Sequence, residues 1–147
     1  MSPMNRLSML LAELHIRPSL ARVMILDYLQ SERNHPTAEQ IYQALHNSEK
    51  SISRATVYNT LALFEKNGLL HVLSVGENEH RYDASTDAHG HFLCEQCGSV
   101  RDFSLSPEAY QTDLPQSYIV RRMGIYCTGR CDRCAQKQAM QAKTAFK

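Results

Sequence analysis

Four of the five cysteines occur as two pairs, and each pair has two residues between its members. The pairs are Cys94 with Cys97 and Cys131 with Cys134, and 33 residues separate them. Thiolates are soft ligands, and four of them in a tetrahedron select zinc. We therefore predict a structural four-thiolate zinc site that joins the two ends of a small domain.

Other uses of these cysteines have to be weighed against zinc. A single C-x-x-C motif is also typical of redox proteins, and buried cysteines occur without any ligand. Five is an odd number, so a complete set of disulfides within one chain is impossible. The second pair favours the metal site. Cys127 remains as a free thiol, or else as a ligand that replaces one of the four.

A second set of candidate ligands surrounds the first cysteine pair. His89 and His91 are one residue apart, so on a strand both side chains point to the same face. Asp83 lies six residues before His89, and Asp102 lies five residues after Cys97. Imidazole nitrogen and carboxylate oxygen suit Fe(II) or Mn(II) better than a thiolate site does. The pattern alone leaves open that these are ordinary surface or core histidines.

The first half of the chain predicts helices followed by a hairpin. Apolar residues at helical spacing predict a first helix around residues 7–14, and further helices are expected at 20–30, 38–46 and 53–67. Thr37 opens a capping box, and Ser53 is the expected N-cap of the last helix. Strands at 69–75 and 80–83 flank a loop at 76–78. This order predicts a winged helix, with 38–46 and 53–67 as the helix-turn-helix pair.

The second half predicts a small mixed domain. Short strands are expected at 90–94, 99–103 and 118–126, a brief helix at Pro107, and a terminal helix at 133–146. The predicted fold is α+β, with a winged helix-turn-helix DNA-binding domain (1–82) followed by a small α/β dimerisation domain (83–147). The lack of a linker of biased composition predicts two domains that touch.

Composition limits the possible partners and locations. The chain has 147 residues, 43% of them hydrophobic, so a packed core is expected. No long apolar segment or signal sequence is present, which predicts a soluble cytoplasmic protein without a membrane partner. The net charge is +1 and both halves are nearly balanced. Any contact with DNA must therefore come from a local basic cluster.

The motifs together resemble those of the Fur (ferric uptake regulator) family. The similar segments are HPTAEQIY, SRATVYNTLALFEKNGLL, HGHFLCEQCGSVRDF and GRCDRC, in the family's order. The resemblance implies a homodimer whose winged-helix domain joins the dimerisation domain through a hinge. It also implies a regulatory Fe(II) or Mn(II) site whose ligands are His35, Asp83, His89, His91 and Asp102.

Two positions resemble the peroxide-sensing PerR branch more than the iron-uptake regulators. Asp102 stands where iron-uptake members typically have Glu, and Asn59 stands where they typically have Arg. A third metal site of many members is not expected, because Gly90 occupies one ligand position and Arg122 and Met123 fall near the other. The segment between the cysteine pairs is also shorter than in the family.

These features predict a metal-dependent repressor that binds palindromic operator DNA. Tyr58 and Asn59 lie opposite the buried stripe of their helix, so they would face the bases. Arg17 and Arg22 resemble basic residues of the family, and Arg54 is a further candidate for a phosphate contact. In the peroxide-sensing branch, Fe(II) bound at the regulatory site promotes oxidation of a ligand histidine, here His35 or His89.

Several alternatives remain. Zinc deaminases also combine histidine with C-x-x-C, but they require an H-x-E motif, and Leu93 stands where the Glu would be. The chain is therefore not expected to be an enzyme. A structural zinc module that binds other proteins is a further alternative. Within the family, iron-responsive, zinc-responsive or manganese-responsive repression without peroxide sensing is the alternative.

Overall fold

A computed structural model describes residues 2–47, 52–75, 79–85, 88–120 and 123–144 of the chain. The molecule divides into two compact units, residues 1–86 and 87–147. The first unit contains four helices and a two-stranded antiparallel sheet. These elements are α1 (Pro3–Glu13), α2 (Leu20–Glu32), α3 (Ala38–His46), α4 (Arg54–Lys66), β1 (His71–Val75) and β2 (Glu79–Asp83).

Each helix of the first unit begins at a hydroxyl side chain. Ser2, Ser19, Thr37 and Ser53 accept hydrogen bonds from backbone N–H groups three residues further along. These bonds satisfy N–H groups that the first turn of a helix leaves without a partner. At Thr37 the backbone N–H also donates a hydrogen bond to the side-chain oxygen of Gln40, which completes the predicted capping box.

The core of the first unit lies among the four helices. Val57, Leu61 and Phe64 form the buried stripe of α4 and are fully inaccessible to solvent. They pack in one cluster with side chains from the other helices, among them Leu11 and Ile25. This stripe fixes which face of α4 is left exposed. The predicted order of a winged helix is thus confirmed, with α3 and α4 as the helix-turn-helix pair.

The sheet of this unit forms the wing. In its ladder, His71 pairs with Asp83 and Val75 pairs with Glu79. Asp83 is therefore the last residue of β2. The sequence predicts a domain boundary between residues 82 and 83, whereas the two compact units divide after residue 86. The predicted loop at 76–78 lies outside the described residues.

The second unit is built on a three-stranded sheet with the order β4-β3-β5. Its elements are β3 (His89–Cys94), β4 (Val100–Ser104), a 3-10 helix (Pro107–Tyr110), β5 (Tyr126–Gly129) and α5 (Asp132–Thr144). β4 runs antiparallel to β3, and β5 runs parallel to it. The central strand therefore carries ligand candidates between two neighbours that fix its position.

The strand predicted over 118–126 is misplaced. The strand begins at Tyr126 and ends at Gly129, because this segment pairs with residues 91–94 of β3. Residues 118–120 belong to no ladder. Alternation of apolar residues cannot distinguish an exposed extended segment from a paired strand. In the described part of the chain, no helix is long and apolar enough to cross a membrane.

Candidate metal centres

The two cysteine pairs converge at one end of the second unit. Cys94 ends β3 and Cys97 lies in the following turn, while Cys131 and Cys134 lie at the start of α5. All four sulfur atoms lie within 4.8 Å of one another. The sulfurs of Cys97 and Cys131 are 3.8 Å apart. A tetrahedron with Zn–S bonds of about 2.3 Å has sulfur–sulfur edges of about 3.8 Å, so the four residues fit zinc.

The backbone near these cysteines supports the thiolate form of Cys94. The N–H of Cys131 donates to Cys94 Sγ at 3.3 Å. This bond, followed by one from the turn at Cys97, lowers the pKa of Cys94 to about 6. Burial, followed by the neighbouring thiols, instead raises the pKa of Cys134 to about 12. A cation is therefore needed to hold all four sulfurs as thiolates near neutral pH.

Cys127 is not part of this cluster. It lies in β5 opposite Phe92, two positions before the pair formed by Cys94 and Gly129. Its side chain is exposed, and its sulfur is absent from the group of four. The fifth cysteine is thus a free thiol in this structure, and the four zinc ligands are those with C-x-x-C spacing.

A second set of ligands lies on β3 and β4 of the same unit. His89 and His91 point to one face of β3, and His91 pairs with Asp102 across the ladder. The Nε2 atoms of the two histidines are 3.0 Å apart. Asp102 Oδ1 lies 3.7 Å from His89 Nε2 and 3.4 Å from His91 Nε2. Neighbouring ligands of an octahedral ion with bonds of about 2.1 Å are about 3.0 Å apart, so this face can hold such an ion.

The opposite face of β3 is closed at Gly90. The ring of Phe103, its partner across the ladder, lies where a side chain at position 90 would project, and a Cβ there would overlap with Phe103 Cζ. The glycine is therefore required by the close approach of this ring.

The first unit contributes a separate pair of buried candidates, His35 and Asp83. Their ligand atoms lie within 4.8 Å of each other. The Tyr82 N–H donates to the carbonyl of Pro36 at 3.0 Å, and Arg81 Nη1 donates to the carbonyl of His35 at 3.3 Å. These bonds attach the segment before α3 to the end of β2. His35 also has a left-handed backbone, with φ of 48°, and strained residues of this kind cluster at functional sites.

The side chains predicted to face DNA lie on the exposed side of α4. Ala55, Tyr58, Asn59 and Ala62 are all exposed, as the buried stripe requires. Arg54 is the first residue of the same helix. Arg17 precedes α2 and is exposed, while Arg22 within α2 donates from Nη1 to the Arg17 carbonyl at 2.6 Å.

Sequence reasoning missed two side chains beside these sites. The ring of Tyr126 stacks on that of His91, with centroids 5.8 Å apart and planes at 24°. Glu39 forms two hydrogen bonds with Arg54, at 3.0 Å and 2.9 Å. Both contacts join residues distant in sequence, and neither periodicity nor motif spacing carries a signal for them.

The comparisons with known proteins agree with this fold. The family model of the ferric uptake regulator family matches residues 13–121. The chain is 39% identical over 129 residues to a peroxide-responsive repressor PerR of Staphylococcus aureus, covering 83% of this chain and 84% of that protein. The chain therefore belongs to the ferric uptake regulator family.

Solved structures show the same likeness. The ferric uptake regulator of Pseudomonas aeruginosa with manganese is 27% identical with a TM-score of 0.73, over 85% of this chain and 97% of that one. A PerR of Streptococcus pyogenes, described for peroxide sensing and gene regulation, is 28% identical with a TM-score of 0.51, over 91% and 94%.

Proposed function

We propose that this chain is a metal-dependent transcriptional repressor that binds palindromic operator DNA as a homodimer and responds to peroxide. The observation that carries the proposal is the separation of two chemically different ligand sets. Four thiolates gather at one end of the second unit, while His89, His91 and Asp102 lie on another face of the same sheet. A repressor of this kind needs one ion for structure and another that exchanges.

The thiolate site serves the fold. Zinc held by Cys94, Cys97, Cys131 and Cys134 joins the end of β3 to the start of α5, across the long segment that connects them. Among the described residues of the second unit, few side chains besides Cys94 and Cys134 are buried, and small domains of this kind depend on a metal for stability. Zinc has no redox chemistry of its own, so we assign this site to structure and peroxide sensing to the regulatory site.

The regulatory ion takes its ligands from both sets of harder donors. Each unit holds an incomplete set, His35 with Asp83 in the first and His89, His91 and Asp102 in the second. Nitrogen and oxygen ligands of this number suit Fe(II) or Mn(II), and the Pseudomonas aeruginosa relative is described with manganese. An ion that binds both sets together favours the arrangement of the units in which they meet, and so shifts the population toward it.

The DNA contact is assigned to α4 and to arginines of the first unit. In a helix-turn-helix protein the second helix enters the major groove. Tyr58 then contacts base edges or a thymine methyl group, and Asn59 offers an amide that pairs with adenine. Arg17, Arg22 and Arg54 are assigned to phosphates, which position the protein without reading sequence.

The homodimer is assigned to an apolar surface of the second unit. Tyr118, Ile119 and Val120 are consecutive and exposed, and Ile119 retains 88% of its accessible surface. Tyr126 and Met140 of the same unit are also exposed. Apolar side chains exposed in a continuous run are typical of protein interfaces. A second copy of the chain that covers them would place two α4 helices on the half-sites of a palindrome.

Peroxide acts at the regulatory histidines. His35, Asp83, His89, His91 and Asp102 would hold Fe(II), and the bound ion would supply the electron that cleaves the O–O bond of peroxide next to these ligands. His35 and His89 are the residues we assign as targets, and an imidazole that has gained oxygen is a poorer ligand. Loss of one ligand weakens the ion's hold on both sets, and DNA is released.

Metal-dependent binding tests this proposal. Palindromic DNA would be selected from a random library with Mn(II)-loaded protein, and affinity measured by fluorescence anisotropy against Mn(II) concentration. We expect tight binding by a dimer only with Mn(II), and His89→Ala should lose the response while Cys127→Ser retains it. Binding that ignores Mn(II), or a protein that selects no DNA, contradicts the proposal. With Fe(II) in place of Mn(II), release by chelation but not by peroxide identifies an iron-responsive repressor instead.

A further inference from the structure

The start of α4 carries an arginine that is held in place before any DNA arrives. Arg54 donates from Nε to Glu39 Oε2 at 3.0 Å and from Nη2 to Glu39 Oε1 at 2.9 Å. Such a two-bond fork fixes the plane of the guanidinium as well as its position. Glu39 belongs to the first turn of α3, so the pair joins the two helices of the helix-turn-helix.

Two further contacts stabilise this arrangement. The Cζ atom of Arg54 lies 4.1 Å from the ring centroid of Tyr42, which supports one face of the guanidinium. Gln43 donates to Glu39 Oε1 at 2.8 Å, which holds the carboxylate from the other side. Glu39, Tyr42 and Gln43 are three and four residues apart, so they lie on one side of α3, where Tyr42 is buried, Glu39 half-buried and Gln43 exposed. The guanidinium is thus fixed along one edge and over one face.

The carboxylate keeps its charge under all ordinary conditions. Hydrogen bonds from Arg54, and then from Gln43, lower the pKa of Glu39 to about 2. Glu39 therefore stays ionised, as the fork with Arg54 requires, throughout the pH range in which the protein would work.

The fork with Glu39 determines where the other N–H groups of Arg54 point. Nε and one N–H of Nη2 are used by Glu39, and among the described residues no side chain accepts from Nη1. Arg54 lies four residues before Tyr58 on α4, so both occupy the exposed face of the helix. The free donors consequently stand at the N-terminal edge of the surface assigned to the bases, where the phosphates bordering a major groove would lie.

We propose that Glu39 is a positioning residue that orders Arg54 for contact with a DNA phosphate at the entrance of the recognition helix. The inference rests on the proposed function, since it assigns one phosphate contact of that same DNA surface. Its energetic basis is that DNA then binds a side chain already ordered. Pre-ordering a flexible side chain is worth roughly two- to tenfold in affinity.

If Glu39 acted only through its charge, the change in DNA affinity would be opposite to the one expected from ordering of Arg54, so an experiment can distinguish the two roles. Glu39 is an acidic residue on the surface that would meet DNA. If it acted only through its charge, Glu39→Gln would remove a repulsion and tighten binding. If it orders Arg54, the same change weakens binding although the protein becomes more positive.

The experiment compares four variants of the full-length, zinc-containing and Mn(II)-loaded protein on one selected operator. Glu39→Gln is expected to weaken binding roughly two- to tenfold, and Glu13→Gln, the matched change of charge on α1, is expected to leave it equal or tighter. In the Arg54→Ala background, Glu39→Gln should produce no further loss. Arg54→Ala should also reduce the slope of log affinity against log salt by about 0.9, the value for one phosphate contact.

The measurements separate a loss of the fold from a loss of the Arg54 contact and from a loss of DNA binding. Thermal melting of each variant within a few degrees of wild type shows that the fold is retained, because a half-exposed ion pair contributes little to stability. Equal or tighter binding by Glu39→Gln, or an unchanged salt slope in Arg54→Ala, overturns the inference while the proposed function stands. If the wild-type protein binds no DNA, the proposed function fails and this inference fails with it.

Discussion

Four of the five cysteines lie together in the structure, and the fifth, Cys127, lies apart from them. C-x-x-C spacing is sufficient to predict the four zinc ligands, because a tight turn after β3 and the first turn of α5 each bring two sulfurs to one side. The spacing did not settle the role of Cys127, which lies only four residues before Cys131 in the sequence. Cys127 lies in β5 opposite Phe92 of β3, and this position keeps it apart from the cluster.

Substitution at the thiolate site tests this division. Cys134→Ser removes a ligand that is almost fully buried, so the zinc content should fall sharply and the second unit should lose its cooperative unfolding. Cys127→Ser should keep one zinc per chain and an unchanged melting temperature. Metal analysis by mass spectrometry and calorimetry of both variants provide the measurements. Zinc loss in Cys127→Ser with retention in Cys134→Ser would contradict the assignment.

Tyr126 should influence the regulatory ion through the His91 ring. The stacked rings orient the imidazole whose Nε2 lies near Asp102. Aromatic pairs of this kind contribute about 0.5–1.5 kcal/mol, so Tyr126→Leu should weaken Mn(II) binding roughly two- to tenfold. Tyr126→Phe keeps the ring and should bind as wild type does. Titration calorimetry on zinc-loaded protein measures the difference, and equal affinities for the Leu and Phe variants would exclude an orienting role.

At the scale of elements, β3 is the strand on which both metal sites depend. It presents His89 and His91 on one face and ends at Cys94. Its position is fixed by β4 on one side and β5 on the other. The ring of Phe103 packs directly against Gly90. Small changes there should therefore propagate to both sets of ligands.

A methyl group at position 90 should destabilise this sheet. Gly90→Ala places a Cβ where Phe103 Cζ now lies, and overpacking of this kind costs about 1–3 kcal/mol. Urea unfolding of the zinc-loaded protein should show the loss. Adding Phe103→Leu, which shortens the opposing side chain, should recover part of it. Wild-type stability in the Gly90→Ala variant would mean that the ring moves aside without cost.

Local signals predicted the helices well and the second unit less well. Hydroxyl caps at Thr37 and Ser53 mark helix starts from bonds made within four residues, so sequence alone carries them. The sequence predicts the last strand too early because residues 118–120 are apolar, although they belong to no ladder. Pairing depends on which residues of β3 lie opposite, and that is a property of the folded sheet. The contacts of Glu39 and Tyr126 escaped prediction for the same reason.

For the whole molecule, the proposed switch draws its metal ligands from both units. The family resemblance supplied His35 as a ligand, since nothing in its spacing relates it to the histidines of β3. The structure places it beside Asp83 within the first unit. If one ion takes ligands from both units, as proposed, metal binding and the arrangement of the DNA-binding helices are thermodynamically linked.

Peroxide treatment with two different regulatory metals tests the central claim most directly. Zinc-containing protein is loaded with either Fe(II) or Mn(II), bound to its operator and exposed to peroxide while anisotropy reports DNA release. Mass spectrometry of the same samples locates any added oxygen. We predict release only with Fe(II), accompanied by an oxygen on His35 or His89 and intact zinc cysteines. Release with both metals, or release with oxidation confined to cysteines, would contradict the account.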